Sequence, residues 1–176
     1  MFRHQEDLEE RLLRLARTCG HTPAAERAVA RFSRLGEHGA VWLAIGLAGA
    51  VVDPGRRRSW RRARRTVGAV YLTNTAIKLA VGRRRPNLPE LPPLTGTPTG
   101  LSFPSAHAAT AFAGALAYSR LGVPELPLYG LASALAYSRL YLGVHHPSDI
   151  LAGALLGTAL AARFARPEET SSGEAP

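Results

Sequence analysis

Residues 138–149 read SRLYLGVHHPSD and join two apolar segments of the chain. Gly143 and Pro147 interrupt helical structure, so this stretch predicts that one helix ends here and another begins. Arg139 lies six residues before His145, and Asp149 lies four residues after it. An arginine can hold a phosphate in a bidentate fork, a histidine can attack or protonate, and an aspartate can fix the tautomer of that imidazole. The spacing therefore indicates anion chemistry at a joint between helices.

The composition favours a membrane protein over a nucleic-acid-binding protein. The 176 residues are 46% hydrophobic and carry a formal net charge of +9, a length typical of one domain with its own core. The arginines lie beside apolar segments and aromatic residues make up only 7% of the chain, which suits a membrane surface better than RNA or DNA. The single cysteine, Cys19, excludes an intrachain disulfide framework.

Five apolar segments rich in small residues predict the body of the fold. Each is close to the ~20 residues that a helix needs to cross a bilayer, and Gly153 and Gly157 are spaced for close contact between helices. We predict an all-α, antiparallel transmembrane bundle of about five spans, with a soluble, alanine-rich helical bundle as the alternative. The segments are residues 39–52, 66–82, 106–123, 126–144 and 150–165.

Three regions are predicted along the chain. Residues 1–38 contain two amphipathic helices, 5–18 and 23–36, which either pack on the bundle or lie in the membrane interface. Residues 39–166 form the main helical domain, which carries the polar clusters. Residues 167–176 are small and acidic and predict a disordered tail.

A first additional polar cluster lies at the end of the second apolar segment. Lys78 lies in the last turns of this segment, and Arg85 follows at its exit, before Pro86. An ammonium group there is costly unless it faces a polar cavity or an anion, so we interpret Lys78 and Arg85 as anion ligands. We interpret Arg83 and Arg84 as interfacial anchors instead.

A second additional cluster, FPSAHA at residues 103–108, opens the third apolar segment. Pro104 and Ser105 are helix-start signals, so Ser105 or its neighbour is predicted to cap a helix with His107 in its first turn. A helix N-terminus presents backbone N–H groups and a positive dipole end to an anion. The alternative is a plain cap followed by an incidental histidine.

The order of the helices predicts that all three clusters meet. The helix with the first cluster exits at one end of the bundle, six prolines keep residues 86–104 as a loop at that end, and the next helix leads away. The 126–144 helix then returns Arg139 and His145 to the original end. Arg120, which lies in an earlier copy of the sequence ALAYSRL, is expected at the opposite end as an anchor.

The three clusters together resemble the three-part motif of the type-2 phosphatidic acid phosphatase (PAP2) superfamily, which also includes bacterial acid phosphatases and vanadium haloperoxidases. The resemblance covers residues 78–149 in order and rests on KLAVGRRRP, PSAH and SR-x5-H-x3-D. It implies a membrane phosphatase that forms a covalent phosphohistidine and uses neither a metal nor another cofactor.

The resemblance also implies a role for each residue of the motif. His145 would be the nucleophile, Asp149 would orient it, and His107 would protonate the leaving oxygen. His146 is the competing nucleophile, but the spacing to Asp149 and the family pattern select His145. The phosphate-binding residues would be Lys78, Arg85, Ser105, Ala106 and Arg139.

Two departures from the family pattern are visible. The family usually has glycine at the position of Ala106, and alanine would cost about 1–2 kcal/mol there if the backbone needed a positive φ. We expect Ala106 to be helical, in which case the exchange is harmless. Membrane members commonly have six spans, whereas this sequence predicts about five.

The resemblance implies an anionic lipid phosphate as the substrate and the bilayer as the environment, with no nucleic-acid partner. Prenyl phosphate carriers are favoured, of the undecaprenyl diphosphate or decaprenylphosphoryl-phosphoribose type. Phosphatidic acid and phosphatidylglycerol phosphate are alternatives, as is a non-catalytic membrane protein that binds acidic lipids. Residues 56–65 carry seven arginines and no acids, which predicts that they are cytoplasmic. The site of this multi-pass plasma-membrane protein would then be extracytoplasmic.

Overall fold

A computed structural model describes residues 2–164 as helices and loops, with one isolated antiparallel bridge between Arg84 and Leu101. Short 3₁₀ turns, Glu37–Gly39 and Pro54–Arg56, precede the third and fourth α-helices. The predicted tail, residues 167–176, lies outside the described residues. The helices are α1 (Phe2–Thr18), α2 (Pro23–Arg34), α3 (Ala40–Val52), α4 (Arg57–Val81), α5 (Ala106–Ser119), α6 (Glu125–Tyr141) and α7 (Pro147–Phe164).

The all-α prediction is confirmed, and the five apolar segments correspond to α3–α7. The largest difference concerns the arginine-rich residues 56–65: residues 57–65 form the first turns of α4 rather than a separate segment. Arginine is a good helix former, so the run of arginines extends α4 at its N-terminal end. α5 ends at Ser119, earlier than expected, and Gly122 then turns the chain with a φ of 81°.

α5 is the central helix of the bundle. Every one of its residues is buried or half-buried, and it packs against α4, α6 and α7. Seven of its 14 residues are alanine, and these small side chains allow three neighbours to approach at once. The residues that open α5 therefore lie in the middle of one end of the bundle.

The closest approach in the bundle is between α5 and α7. A Cβ atom at Gly157 would overlap the backbone carbonyl of Ala109, and one at Gly153 would overlap the carbonyl oxygen of Ser105. The close contact predicted from the glycine spacing is therefore confirmed. It fixes the start of α7 beside the start of α5, where the backbone N–H of Ser105 donates to the carbonyl of Asp149 at 2.9 Å.

The outer surface of the bundle is apolar. Leu72 on α4 and Leu155 on α7 are 68% and 63% exposed, which suits contact with lipid chains rather than water. Within residues 2–164, no single helix combines the length and the hydropathy of a membrane span. Taken together, α2 and residues 37–52 do so, with a 45° bend between them.

The two ends of the bundle differ in their chemistry. At one end, arginines of α4 and of the α5–α6 connection hold the last carbonyls of α7: Arg62 Nε donates to Phe164 at 3.1 Å, and Arg120 Nη1 donates to Ala161 at 3.3 Å. This confirms that Arg120 is remote from Arg139. Lys78 lies at the other end of the bundle, roughly 24 Å beyond Arg62 along α4 at 1.5 Å per residue.

We expect Gly157→Ala to lower the free energy of unfolding by about 1–3 kcal/mol, because the added methyl group must push α7 away from the backbone of α5. Thermal unfolding in detergent measures this as a lower midpoint. Gly130→Ala on α6 is the matched control, since a Cβ atom there has nothing within 4 Å and alanine favours the helix. Equal midpoints for the two variants would contradict the close packing.

Candidate active site

A cavity opens at the end of the bundle where α4 ends and α5 begins. Six of the eight predicted site residues line it. The other two, Ser105 and Asp149, are fully buried and do not line it. The predicted convergence of the three clusters is thus seen in the structure. The lining residues are Glu37, His38, Tyr71, Thr75, Lys78, Arg85, Gly96, Pro98, Thr99, Ala106, His107, Arg139 and His145.

His145 lies in the loop that joins α6 to α7 and is 2% exposed. Its Nδ1 lies 3.4 Å from Asp149 Oδ2, and its Nε2 lies 3.3 Å from Arg85 Nη1. This geometry fits a neutral ring in which Nδ1 donates to the carboxylate and Nε2 keeps its lone pair. Burial lowers the pKa of His145 to about 3, so the ring is neutral at neutral pH.

Asp149 is the most heavily bonded residue of the site. It lies in the first turn of α7 and is fully buried. Its Oδ2 accepts from the backbone N–H of His146 at 2.8 Å and from the hydroxyl of Ser102. Its Oδ1 accepts from Arg83 Nη1 at 3.0 Å. Four donors, counting the His145 ring, therefore surround this carboxylate and fix its direction.

The interpretation of Arg83 as an interfacial anchor is wrong. Gly82 ends α4 with a φ of 67°, and the chain then turns so that Arg83 reaches α7. There its Nη1 also donates to the hydroxyl of Ser148 at 2.6 Å. Arg84 is exposed, as an anchor would be. The signal for Arg83 was the buried Asp149 itself, since a buried carboxylate needs a partner beyond one histidine.

Ser102 is a second residue that sequence reasoning missed. It is fully buried, and its hydroxyl lies between Asp149 and the ring of His145. Its carbonyl accepts from Lys78 Nζ at 2.8 Å. The Pro-rich loop thus connects the ammonium of α4 to the carboxylate of α7. Nothing in the spacing of the motif distinguishes this serine from its neighbours.

Three cations of the cavity come from different elements. Arg85 is held by the carbonyls of Val144 and Thr99 at 2.6 and 2.9 Å. Arg139 Nη1 donates to Ser33 Oγ at 2.7 Å, while its buried Nε has no partner among residues 2–164. Together with Lys78 these groups form a positive pocket that suits a phosphate. Within the same residues, no group of three or more His, Cys, Asp or Glu side chains is arranged to hold a metal ion.

The start of α5 agrees with the predicted cap. Ser105 is the N-cap residue, and its hydroxyl accepts from the N–H of Ala108 at 3.5 Å. This hydroxyl is buried in the cap and does not line the cavity, so a direct contact between it and phosphate is not supported. Ala106 is the first residue of α5 and has no positive φ, so alanine is harmless there, as expected.

His107 lines the cavity from the first turn of α5. Its Nε2 lies 3.1 Å from the carbonyl oxygen of Ser33, so this nitrogen donates. The other ring nitrogen, Nδ1, is then the one that can exchange a proton with a ligand in the cavity.

The N-terminal helix α1 also reaches the site. Glu9 Oε2 lies 2.7 Å from Arg83 Nη2, and Glu9 Oε1 accepts from the backbone N–H of Ser148 at 3.2 Å. Burial raises the pKa of Glu9, but the bonds from Ser148 and Arg83 outweigh this and lower it below its ordinary value. Glu9 is therefore ionised at neutral pH and holds Arg83 against Asp149.

Comparison with known proteins places these observations in one family. Residues 65–170 match the family model of the PAP2 superfamily. Over 122 residues, covering 69% of this chain and 67% of the relative, the sequence is 42% identical to a decaprenylphosphoryl-5-phosphoribose phosphatase from Mycolicibacterium smegmatis.

Two crystal structures share the fold. The transmembrane PAP2 type phosphatidylglycerolphosphate phosphatase from Bacillus subtilis has a TM-score of 0.78 at 22% identity, covering 92% of this chain and 84% of that one. LpxE from Aquifex aeolicus has a TM-score of 0.74 at 25% identity, covering 89% and 94%. The all-α bundle is therefore a membrane-protein fold, although the number of spans stays a prediction.

We expect Glu9→Gln to lower kcat by about tenfold with little change in KM, because a freed Arg83 no longer fixes the carboxylate behind His145. Steady-state phosphate release in detergent micelles measures both constants. Glu10→Gln is the matched control, since Glu10 pairs only with Arg14 on an exposed face of α1 among the described residues. Equal kcat values for the two variants would show that α1 does not position the site.

Proposed function

This chain belongs to the PAP2 superfamily, and we propose that it is a membrane lipid phosphatase that works through a phosphohistidine on His145 without a metal ion. The observation that carries this proposal is the neutral, buried ring of His145 between the carboxylate of Asp149 and the cationic pocket. Such a ring combines a free lone pair with a partner that stabilises the positive charge formed on attack.

In the first step, Lys78, Arg85 and Arg139 bind the oxygens of the phosphoryl group and neutralise its charge. The backbone N–H of Ala106, the first residue of α5, adds the positive end of the helix dipole to this binding site. His145 Nε2 then attacks phosphorus in line with the leaving oxygen. The P–N bond forms, the P–O bond to the leaving group breaks, and protonated His107 gives its Nδ1 proton to the leaving oxygen.

In the second step, water hydrolyses the phosphohistidine. Neutral His107 accepts a proton from the water while the oxygen of that water attacks phosphorus and the P–N bond breaks. Inorganic phosphate leaves, His145 recovers its lone pair, and His107 is again protonated. Asp149 accepts the Nδ1–H of His145 in both steps and stabilises the ring when it carries positive charge.

We propose a prenyl-carried phosphate ester as the substrate. The support is the 42% identity to the decaprenylphosphoryl-5-phosphoribose phosphatase from Mycolicibacterium smegmatis, together with a cavity at the end of an apolar bundle. A lipid in the surrounding bilayer can present its phosphate there without leaving the membrane. Phosphatidic acid and phosphatidylglycerol phosphate are the alternative substrates.

We also propose that the cavity opens on the extracytoplasmic side of the plasma membrane. Residues 56–65 carry seven arginines and no acids, whereas the seven arginines of residues 1–38 are accompanied by six acids. Basic residues near span ends favour the cytoplasm, so the start of α4 would be cytoplasmic. Lys78 and the cavity, at the other end of α4, would then face outwards.

We expect His145→Ala to reduce phosphate release from prenyl phosphates by more than about 1,000-fold, because the nucleophile is lost. His146→Ala is the matched control, since His146 does not line the cavity. Both are assayed with EDTA present, and wild-type activity should be unaffected by the chelator. Quenching with denaturant should trap an acid-labile phosphate on the wild-type protein but not on His145→Ala.

Three outcomes would contradict this proposal. Activity that survives His145→Ala would remove the nucleophile from the mechanism, and activity lost with EDTA would make the reaction metal-dependent. Release from no lipid phosphate at all would favour a non-catalytic protein that binds acidic lipids. Wild-type levels of folded protein, measured by thermal unfolding, are required of both variants.

The native Cys19 tests the orientation, because it is exposed and next to Gly20, whose carbonyl accepts from Tyr141 at the cavity end. We expect a membrane-impermeant maleimide to label it in intact cells. A Cys19→Ser, Arg58→Cys variant carries its thiol at the other end of the bundle and should react only after the cells are lysed. The reverse pattern would overturn the proposed orientation.

A further inference from the structure

Ser33, in the last turn of α2, contacts two residues of the site at once. Its carbonyl oxygen accepts from His107 Nε2 at 3.1 Å, and its hydroxyl oxygen accepts from Arg139 Nη1 at 2.7 Å. Ser33 is 1% exposed and does not line the cavity. It also lies outside the three clusters of the PAP2 motif, so it can affect a bound phosphate only through His107 and Arg139.

The carbonyl of Ser33 is available to His107 because α2 ends beside it. The last carbonyls of a helix have no partner within that helix, and this one accepts from the backbone N–H of Gly36 at 3.0 Å as well as from the imidazole. The bond to His107 keeps the hydrogen of the neutral ring on Nε2 and leaves the lone pair on Nδ1. The carbonyl therefore selects the tautomer that proton exchange at Nδ1 requires.

Gly36 fixes the position of the same ring. A Cβ atom at Gly36 would be 2.7 Å from Cδ2 and 3.3 Å from Nε2 of His107, and 3.3 Å from Leu135 Cδ2. The φ of Gly36 is −86°, which alanine also adopts, so an alanine here would disturb the side chains in contact and not the backbone. The Nε2–Cδ2 edge of His107 thus lies against the end of α2.

The hydroxyl of Ser33 belongs to a chain of hydrogen bonds between α2 and α6. Its Oγ lies 3.0 Å from Ser138 Oγ, and the Ser138 hydroxyl donates to the carbonyl of Leu135 at 2.7 Å. Because a hydroxyl has one hydrogen, Ser33 then donates to Ser138 and keeps its lone pairs for Arg139. Among the side chains that the structure describes, Ser33 is the one hydrogen-bond partner of the Arg139 guanidinium.

We propose that residues 33–36, which we call the α2 terminus, position two groups of the phosphatase site. The hydroxyl of Ser33 orients Arg139, while its carbonyl, together with Gly36, holds the ring of His107. One turn at the end of a helix that precedes the PAP2 motif would thus set the phosphate-binding arginine and the proton donor relative to each other. This inference rests on the proposed phosphatase function and adds two positioning residues to it.

Ser33→Ala removes the hydroxyl and keeps the carbonyl, so it tests the contact with Arg139 alone. We expect the inhibition constants of inorganic phosphate and orthovanadate to rise about tenfold, because the guanidinium loses its hydrogen-bond partner. The ratio of kcat/KM between two substrates with different leaving groups should keep its wild-type value. The two substrates are dodecyl phosphate and a dodecyl-substituted 4-nitrophenyl phosphate, both in detergent micelles.

Gly36→Ala displaces the ring of His107 and leaves the hydroxyl of Ser33 in place. We expect kcat/KM for dodecyl phosphate to fall about 100-fold, because an alkoxide leaves poorly without a proton donor. For the nitrophenyl substrate the fall should be less than about threefold, since nitrophenolate leaves without a proton. kcat/KM covers the steps up to release of the leaving group, so hydrolysis of the phosphohistidine does not enter the comparison.

Two control variants make the same substitutions away from the site. Ser119→Ala changes a hydroxyl that donates to the carbonyl of Leu116 within α5, at the opposite end of the bundle. Gly68→Ala adds a Cβ atom to α4 where nothing lies within 4 Å. Both should keep the wild-type inhibition constants and the wild-type ratio of kcat/KM. A smaller amount of folded protein changes neither quantity, so a variant that is merely less stable does not imitate the expected results.

The tautomer of His107 provides a readout that needs no substrate. Long-range ¹⁵N–¹H spectra of histidine-labelled protein are recorded at alkaline pH, where the ring is neutral, and His107→Gln identifies its signals. We expect the hydrogen on Nε2 in the wild-type protein and a mixture of tautomers in Gly36→Ala. A hydrogen on Nδ1 in the wild-type protein would show that the carbonyl of Ser33 does not hold the ring.

The proposal and the phosphatase function fail in distinguishable ways. If the wild-type protein releases phosphate but Ser33→Ala keeps its inhibition constants, or Gly36→Ala lowers kcat/KM equally for both substrates, the positioning role is wrong and the function stands. If only the nitrophenyl substrate is refused, the inhibition constants and the tautomer decide in the same way. If no phosphate is released from either substrate, from prenyl phosphates or from phosphatidic acid, the proposed function fails, and the role of His107 as proton donor fails with it.

Discussion

The structure of the site depends on one buried charge, the carboxylate of Asp149. A fully buried carboxylate is costly unless every oxygen is hydrogen-bonded and the charge is paired. Its partners come from the end of α4 through Arg83, from the Pro-rich loop through Ser102 and from the α6–α7 joint through His145. If any of these segments moved away, the buried carboxylate would lose one of its partners. The segments are therefore ordered together.

This dependence extends to the N-terminal helix. Glu9 pairs with Arg83, and the buried Arg17 donates to the carbonyls of Tyr141 at 3.1 Å and Pro92 at 2.7 Å. α1 therefore fastens the Pro-rich loop to the joint that carries His145. Its opposite face exposes Leu8, at 56%, with two further leucines one and two turns on. One face of α1 packs on the bundle, and the other stays available for the membrane interface, so the two alternatives of the sequence analysis are compatible.

The sequence predicted what is encoded locally. The cap at Ser105, the helical Ala106 and the joint around His145 follow from residues within a few positions of one another. Arg83, Ser102 and Glu9 could not be found in this way, because their partners lie 47–74 residues away. A periodic pattern shows which face of a helix is apolar but not which polar residue meets it. The available signal was the buried Asp149. To use it, one must count how many hydrogen-bond donors its carboxylate needs, because matching the motif supplies only His145.

In a bilayer, apolar surface gains little by moving from lipid to another helix, so the hydrophobic effect does not select one arrangement of the bundle. Close packing and hydrogen bonds must do so. The glycines of α7 set its distance from α5. The bond from Ser105 N–H to the carbonyl of Asp149, at 2.9 Å, and the donors around the Asp149 side chain fix the position of α7 along α5 at one end. The residues that orient His145 are thus also the residues that fix the register of the helices, which explains why many polar contacts lie around the cavity.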